Sequence, residues 1–306
     1  MSVIDPVDEG RHSPGEELLW NESYYFDWFA PDGSSGGYVR VGFYPNLHKV
    51  WYWACCVRQG AELVTLIEHD IALPASPSSL ELRGDGVWAD HVVETPLEHM
   101  SINLESFALC MEDPAAVYRR EYGTRVPFGC ELDFVTDGFG YQWPPITPRY
   151  EIPCVVTGTV QIGQDTIEVD GFGQRDHSWG AARDWWSTTW NWTAGRFSDG
   201  SRFHSAGAFA PGQDFGVAYL ESPDRRGLHE LSSVRVEVAD AATHLPERTT
   251  VGLGDVEVLF APTLFSPVLL VSDVGQRSYF PRALASARAS DGRDGWAWIE
   301  WNQPEN

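Results

Sequence analysis

The sequence predicts an all-β protein of two antiparallel β-barrel or half-barrel modules packed side by side, and three observations carry the prediction. Short aromatic and β-branched runs recur from Trp20 to Trp301, each broken by Gly, Pro, Asp or Ser, the pattern of successive strands. Turn stretches such as Pro31-Asp-Gly-Ser-Ser-Gly-Gly37, Gly84-Asp-Gly86 and Ser198-Asp-Gly-Ser201 can supply the positive φ that hairpins need. A length of 306 residues suggests two modules, on a prior of about 150 residues per domain.

Residues 1–20 are polar, contain Pro6 and Pro14, and read as an extended lead-in. Strands are expected at 24–29, 37–43, 50–58, 62–71, 87–93, 99–107 and 128–135. One place looks helical: Asp113 caps Pro114 at the first helical position, and 115–122 complete about two turns. Gly138 to Pro148 carries three prolines and three aromatics with no usable alternation, so the junction falls there. The expected modules are 1–145 and 146–306. Beyond the junction strands are expected at 150–162, 166–172, 185–197, 201–209, 215–221, 231–238, 255–260, 268–272, 278–287 and 296–301.

Hydrophobic residues make up 43% and charged residues 21%, which fits a globular chain that folds without help. The formal charge of −23 repels phosphate backbones and anionic membranes, so nucleic acid is not an expected partner. Lys49 is the single lysine, which disfavours Schiff-base chemistry. Five cysteines without CxxC spacing favour reduced, buried thiols, and with no apolar leader or run of about 18 apolar residues the chain reads as cytoplasmic and not membrane-inserted. The nine histidines show no metal-binding pairing, and Gly171-x-Gly173 lacks a strand-helix-strand setting, so neither metal nor nucleotide cofactor is expected. Oligomeric state is not legible.

The richest stretch is Gly171-Phe-Gly-Gln-Arg-Asp-His-Ser-Trp-Gly-Ala-Ala-Arg-Asp-Trp185. Charges in so aromatic a setting are costly unless bonded, so Arg175, Asp176, His177, Arg183 and Asp184 read as a mutually paired cluster. Alternation puts Arg175, His177 and Trp179 on one side and Asp176 and Ser178 on the other. The cluster is either an ion-pair corner that pins strands or a proton-transfer site, with His177 as donor or acceptor and an Asp fixing its tautomer. Ser178 is a poor nucleophile candidate, because His177 points away and no G-x-S-x-G elbow exists.

Fourteen Trp, eleven Tyr and fifteen Phe bunch along the strands. Trp186, Trp190 and Trp192 share one face, and Trp296, Trp298 and Glu300 repeat the device. A carboxylate between indoles is poorly solvated, which favours its protonated form. These walls are inter-sheet core, an apolar ligand cavity or an outward patch for a protein.

The run G-F-G-Q-R-D-H-S-W-G-A-A-R-D-W, with Tyr150-Glu151 and Thr157-Gly-Thr159 before it and Gly-Trp-Ala-Trp-Ile-Glu300 after it, resembles the tandem lipocalin-like proteins related to AttH and the carotenoid 1,2-hydratases. The resemblance implies two calycin-like barrels or half-barrels with a ligand site in or between them. It also implies hydratase or cyclase chemistry that protonates an alkene without metal or nucleotide. Residue by residue it points to Asp176, His177, Trp179, Arg183 and Asp184.

The reading is therefore a cofactor-independent hydratase, dehydratase, lyase, isomerase or cyclase for a hydrophobic small molecule such as a terpenoid, polyene or aromatic compound. Asp176, His177 or Glu300 would move the proton. Trp179, Arg183, Trp186, Trp190, Trp192, Trp296 and Trp298 would bind the substrate, the rings stabilising a developing cation. The alternative is a carrier that holds an apolar ligand unchanged. An interaction protein would instead expose a large aromatic patch.

Overall fold

The computed structural model describes residues 4–180, 184–209, 215–223, 225–229, 231–238 and 243–305. The regular structure of the described residues is almost wholly strand, in two antiparallel sheets. The first contains β1 (Asn21–Phe29), β2 (Ser35–Tyr44), β3 (Lys49–Arg58), β4 (Leu63–Ala72), β5 (Glu81–Gly84), β6 (Val87–Thr95), β7 (His99–Met111), β8 (Thr124–Thr136), β9 (Tyr141–Gln142), β10 (Arg149–Ile162) and β11 (Asp165–Gly180). The second contains β12 (Thr189–Phe197), β13 (Arg202–Phe209), β14 (Phe215–Ser222), β15 (Arg225–His229), β16 (Leu231–Val238), β17 (Pro246–Leu253), β18 (Val256–Phe265), β19 (Val268–Val271), β20 (Arg277–Phe280), β21 (Arg282–Ala289) and β22 (Asp294–Pro304).

The first sheet runs β4-β3-β2-β1-β11-β10-β8-β7-β6-β5, and a further pairing of β4 with β7 at Leu63–Met111, Val64–Cys110 and Thr65–Leu109 closes it into a barrel. Closure removes the exposed edges that a sheet otherwise presents. The second runs β15-β14-β13-β12-β22-β21-β18-β17-β16 as a half-barrel, with β20 joined to β22 and β19 to β20. The all-β, lipocalin-like architecture is thus as expected.

Three apolar layers result. Tyr24, Phe26 and Trp28 of β1 point into the barrel with Val39, Val41, Ile152 and Val156. Tyr25 and Phe29 point the other way, with Tyr38 and Trp53, and meet Trp192, Ala194, Leu284 and Trp298 of the second sheet. Phe203, Val251, Phe260, Ile299 and Trp301 line the far face of the second sheet. Every residue of β1 is buried, because both of its faces are covered.

Several expectations change. Residues 4–20 are not a plain extended lead-in: Asp5 accepts from the Val7 amide to cap a 3₁₀ turn at Pro6–Glu9, Ile4 enters the barrel core and Glu9 is 1% exposed. The helical stretch is a 3₁₀ turn, Pro114–Arg119, capped by Asp113 as foreseen. Strand β11 does not stop before the motif but runs through it to Gly180. The strand expected from 185 starts instead at Thr189, after Asp184 accepts from the Trp186 amide in a turn. The sheets hand over between Gly180 and Thr189, since β10 and β11, beyond the Gly138–Pro148 junction, pair with β8 and β1 of the first sheet. All five cysteines are free thiols. Among the described residues no helix is long and apolar enough to cross a membrane.

Candidate active site

Two buried polar groups lie on opposite faces of β1, β10 and β11, and they split the motif. Alternation sends Arg175 and His177 into the barrel, while Gln174 and Asp176 face the second sheet. Among the described residues Arg175, Asp176 and His177 do not pair with one another, because neighbours on a strand point apart, and each has a partner on another element.

On the barrel side, Arg175 Nη1 donates to Glu9 Oε1 and Oε2 at 2.7 and 3.0 Å, and the Tyr150 hydroxyl donates to the same carboxylate. His177 stacks on Tyr24 at 3.8 Å, with Nδ1 2.7 Å from the Asp8 carbonyl and Nε2 3.2 Å from Glu22 Oε1. His12 Nδ1 lies 2.8 Å from that same oxygen, and Arg11 Nε donates to Glu22 Oε2 at 3.0 Å. Burial opposes the charge of Glu22, but His12, His177 and Arg11 outweigh it and hold the carboxyl at about 2. Two imidazoles and a carboxylate within 4.8 Å are a donor set that a divalent cation accepts. The Glu22 oxygens also bond both rings and Arg11.

Between the sheets is a cavity of about 300 Å³ walled by Trp143, Arg149, Trp179, Trp190 and Trp192. Against it lies a recess of about 30 Å³ that shares Arg149, Trp190 and Trp192 and adds Tyr25, Arg40, Asp176, Trp185 and Glu300. Asp176 accepts from Arg149 Nη2 at 2.7 Å, and Glu300 is paired with Arg282. The Arg282 guanidinium lies 3.5 Å over the Tyr38 ring. Burial works against the Arg282 charge, yet Glu300, Tyr38 and Tyr25 raise its proton affinity above the ordinary value.

Behind the recess, Glu151 accepts from Arg149 Nε at 2.7 Å, Trp192 Nε1 at 3.2 Å and Gln174 Nε2 at 3.3 Å. Its burial nevertheless prevails and raises its pKa. Asp27, wholly buried, accepts the Gln174 amide at 2.9 Å; burial drives it well above the carboxylate range, the Gln174 bond opposes and Glu300 adds to the rise. His204, 3.5 Å from Glu151, is held neutral by burial and by the nearby Arg149 charge.

Comparison with known proteins places this architecture. One family, described as Domain of unknown function (DUF7064), matches residues 5–305. The chain belongs to it. No curated protein matches the sequence. Among solved structures, the DUF7064 chain is similar in fold to a candidate AttH of Nitrosomonas europaea, at TM-score 0.66 and 14% identity, over 98% of this chain and 97% of that one. It is also similar to kievitone hydratase of Nectria haematococca, at TM-score 0.62 and 12% identity, over 98% and 93%. CghA in complex with Sch210972 follows at TM-score 0.58 and 11% identity, over 94% and 89%. The resemblance to AttH-like proteins expected from the motif is therefore matched by the fold.

In this DUF7064 chain the expected site residues divide into distinct groups. Asp176, Glu300, Trp190 and Trp192 meet at the recess, and Trp179 walls the outer cavity while stacking on His12 at 3.8 Å. His177 does not join them: it is 1% exposed on the barrel side of β11 and bonded there, so it cannot reach a substrate between the sheets. Trp298 is core rather than cavity wall, fully buried with Nε1 donating to the Trp28 carbonyl at 2.8 Å. Trp296 lines a separate cavity of about 390 Å³ with Phe172 and Arg196. Trp186 is half-buried against the inter-sheet core, in the turn before β12 rather than on the strand face with Trp190 and Trp192. Arg183 lies outside the described residues.

Sequence reasoning missed Asp27, Arg40, Arg149, Glu151 and Arg282. A signal existed for three of them: Tyr25-Phe26-Asp27-Trp28-Phe29, Tyr38-Val39-Arg40-Val41 and Phe280-Pro281-Arg282-Ala283 each set one charge in an otherwise apolar run. Such a charge must be paired inside or kept for a ligand.

Proposed function

We propose that this protein is an acid–base enzyme, a hydratase, dehydratase or cyclase, that acts on an apolar small molecule held between its two sheets. The observation that carries the reading is the meeting of Asp176 and Glu300 in a recess walled by Trp185, Trp190 and Trp192, which shares Arg149, Trp190 and Trp192 with the larger inter-sheet cavity. Indole faces favour a developing carbocation, an interaction worth roughly 0.5–2 kcal/mol per ring when desolvated. Both carboxyls accept from guanidinium groups, which fixes their oxygens in the recess where a substrate proton would be exchanged. Glu151, which lies behind the recess and whose burial raises its proton affinity, shares Arg149 with Asp176 and so helps to position that arginine. The names of two structural neighbours, a hydratase and a protein solved with the small molecule Sch210972, lend the same direction.

A carrier uses the same cavity without chemistry, and the prior satisfaction of both carboxyls by arginine favours it. Incubation with a small-molecule extract separates the two readings by mass spectrometry. Enzyme action changes a component by one water or converts it to an isomer, and Asp176→Asn and Glu300→Gln lower that turnover at least a hundredfold while staying folded. A ligand recovered unchanged, or full turnover in both variants, removes the enzymatic reading.

A further inference from the structure

Each carboxylate of the recess has its own arginine, and one arginine is left over. Arg40 is 4% exposed, lines the recess, and its Nη1 and Nη2 are both buried with no hydrogen-bond partner among the described residues. Arg149 serves Asp176 and Glu151, and Arg282 serves Glu300. Burial, the largest influence, and Arg282 lower its proton affinity, against which Tyr44, near enough for a weak hydrogen-bonding influence though outside full hydrogen-bond geometry, and Asp176 act.

The surroundings keep the guanidinium in place rather than satisfy it. Its carbon stands 4.5 Å from the Trp53 ring centre and 5.3 Å from that of Trp185, cation–π contacts that place the charge without a hydrogen bond to either ring. Gly42, two residues on, supplies the room: a Cβ there would lie 2.7 Å from Nη1 and 3.0 Å from Nη2. A buried cation whose Nη1 and Nη2 lack a partner in hydrogen-bond geometry is expensive unless an oxygen arrives to accept from them. The planar fork of arginine suits a carboxylate or another oxyanion.

We propose that the recess binds the anionic oxygen head of an otherwise apolar ligand, a carboxylate, enolate or phenolate, on Arg40, with the apolar body in the indole-walled cavity of about 300 Å³. This rests on the inter-sheet cavity being the ligand site and adds the chemical class of what enters it. With the head on Arg40, the part of the ligand next to it lies among Asp176, Glu300 and Trp190, the groups assigned to proton transfer.

The test uses the intact protein and two isosteric probes, 2-naphthoate and 2-naphthamide, titrated by tryptophan fluorescence. Wild type is expected to bind the acid at least tenfold tighter than the amide. Arg40→Met should weaken the acid at least tenfold and leave the amide within about twofold, and Gly42→Ala, which crowds the guanidinium, should weaken the acid in the same direction. Equal affinity of wild type for the two probes overturns the Arg40 assignment, with water then serving the guanidinium, but keeps the cavity as a ligand site. A preference for the acid that survives in Arg40→Met also overturns it. Binding of neither probe overturns both the assignment and the cavity reading.

Discussion

Glu9 and Arg175 are 1% and 2% exposed and bond each other through both carboxylate oxygens, so neither charge has water to fall back on. Removing one partner of a buried pair leaves the other uncompensated, at a cost of about 3–5 kcal/mol, whereas replacing both with apolar side chains is close to neutral. Glu9→Ala is therefore expected to lower unfolding stability in urea by that amount, and Glu9→Ala with Arg175→Met to recover most of it. A loss below about 1 kcal/mol in the single variant would show that the pair does not hold the lead-in to the barrel. The same pair shows why the motif was only half legible. That Arg175 must be paired followed from its aromatic setting, but its partner lies 166 residues away, and the sequence offered nearer acids, Asp176 and Asp184, that strand alternation turns elsewhere. Arg40 and Asp27 sat in plain view between aromatics, yet a lone charge on a strand gains meaning only when the facing sheet is known.

At the scale of elements, the segment from Ile4 to His12 is fastened to the barrel by Glu22, which accepts from the His12 amide at 2.8 Å as well as from Arg11. The Glu22 carboxyl is depressed from an ordinary 4.5 to about 2, so its contribution is present above pH 4.5 and is lost as the pH falls toward 2. His12 moves the other way: burial lowers its proton affinity, but Glu22 and Asp8 outweigh it and raise the pKa above 6.5. Its contribution is thus complete below 6.5 and lost as the pH rises through the raised value. The lead-in should hold best between about 4.5 and 6.5. Hydrogen exchange at the His12 amide, corrected for the intrinsic rate, is expected to be slowest in that window and to speed up on both sides. Flat protection from pH 3 to 8 would remove the fastening role. Strands were the most legible elements here, since β2, β3, β7 and β16 were expected to within a few residues. The lead-in was not, because its polar composition describes a segment whose few buried side chains, Ile4 and Glu9, matter more than its average.

Across the whole molecule, one layer serves as both glue and candidate site. Contacts that cross between the sheets include Trp192 Nε1 to Glu151, Tyr219 to Gln174 and Trp298 Nε1 to the Trp28 carbonyl, and Asp137 of the first sheet's lead into β9 binds Arg196 and Arg202 of the second. The tryptophan faces left core, ligand cavity and outward patch open, and the structure buries Trp298 in the core and sets Trp190 at the inter-sheet cavity. No alternation pattern separates these, because the difference lies in how far the opposing sheet stands off at each point. The same layer accounts for the chain position of the handover between sheets. Proline and aromatic density at Gly138 to Pro148 marks a segment with only the two-residue strand β9, but β10 and β11 return to the first sheet, where they bridge β8 to β1 and complete the barrel. If the buried polar and indole contacts couple the sheets as strongly as their desolvation implies, neither sheet keeps its shape once the other is gone. Urea unfolding followed by tryptophan fluorescence and by far-ultraviolet circular dichroism should then trace a single coincident transition. Trp192→Ala, which strips a ring and a donor from the layer, should shift both probes together. Two separated transitions in wild type, or a Trp192→Ala shift confined to one probe, would mean that the sheets unfold independently and that the cavity between them opens before either is lost.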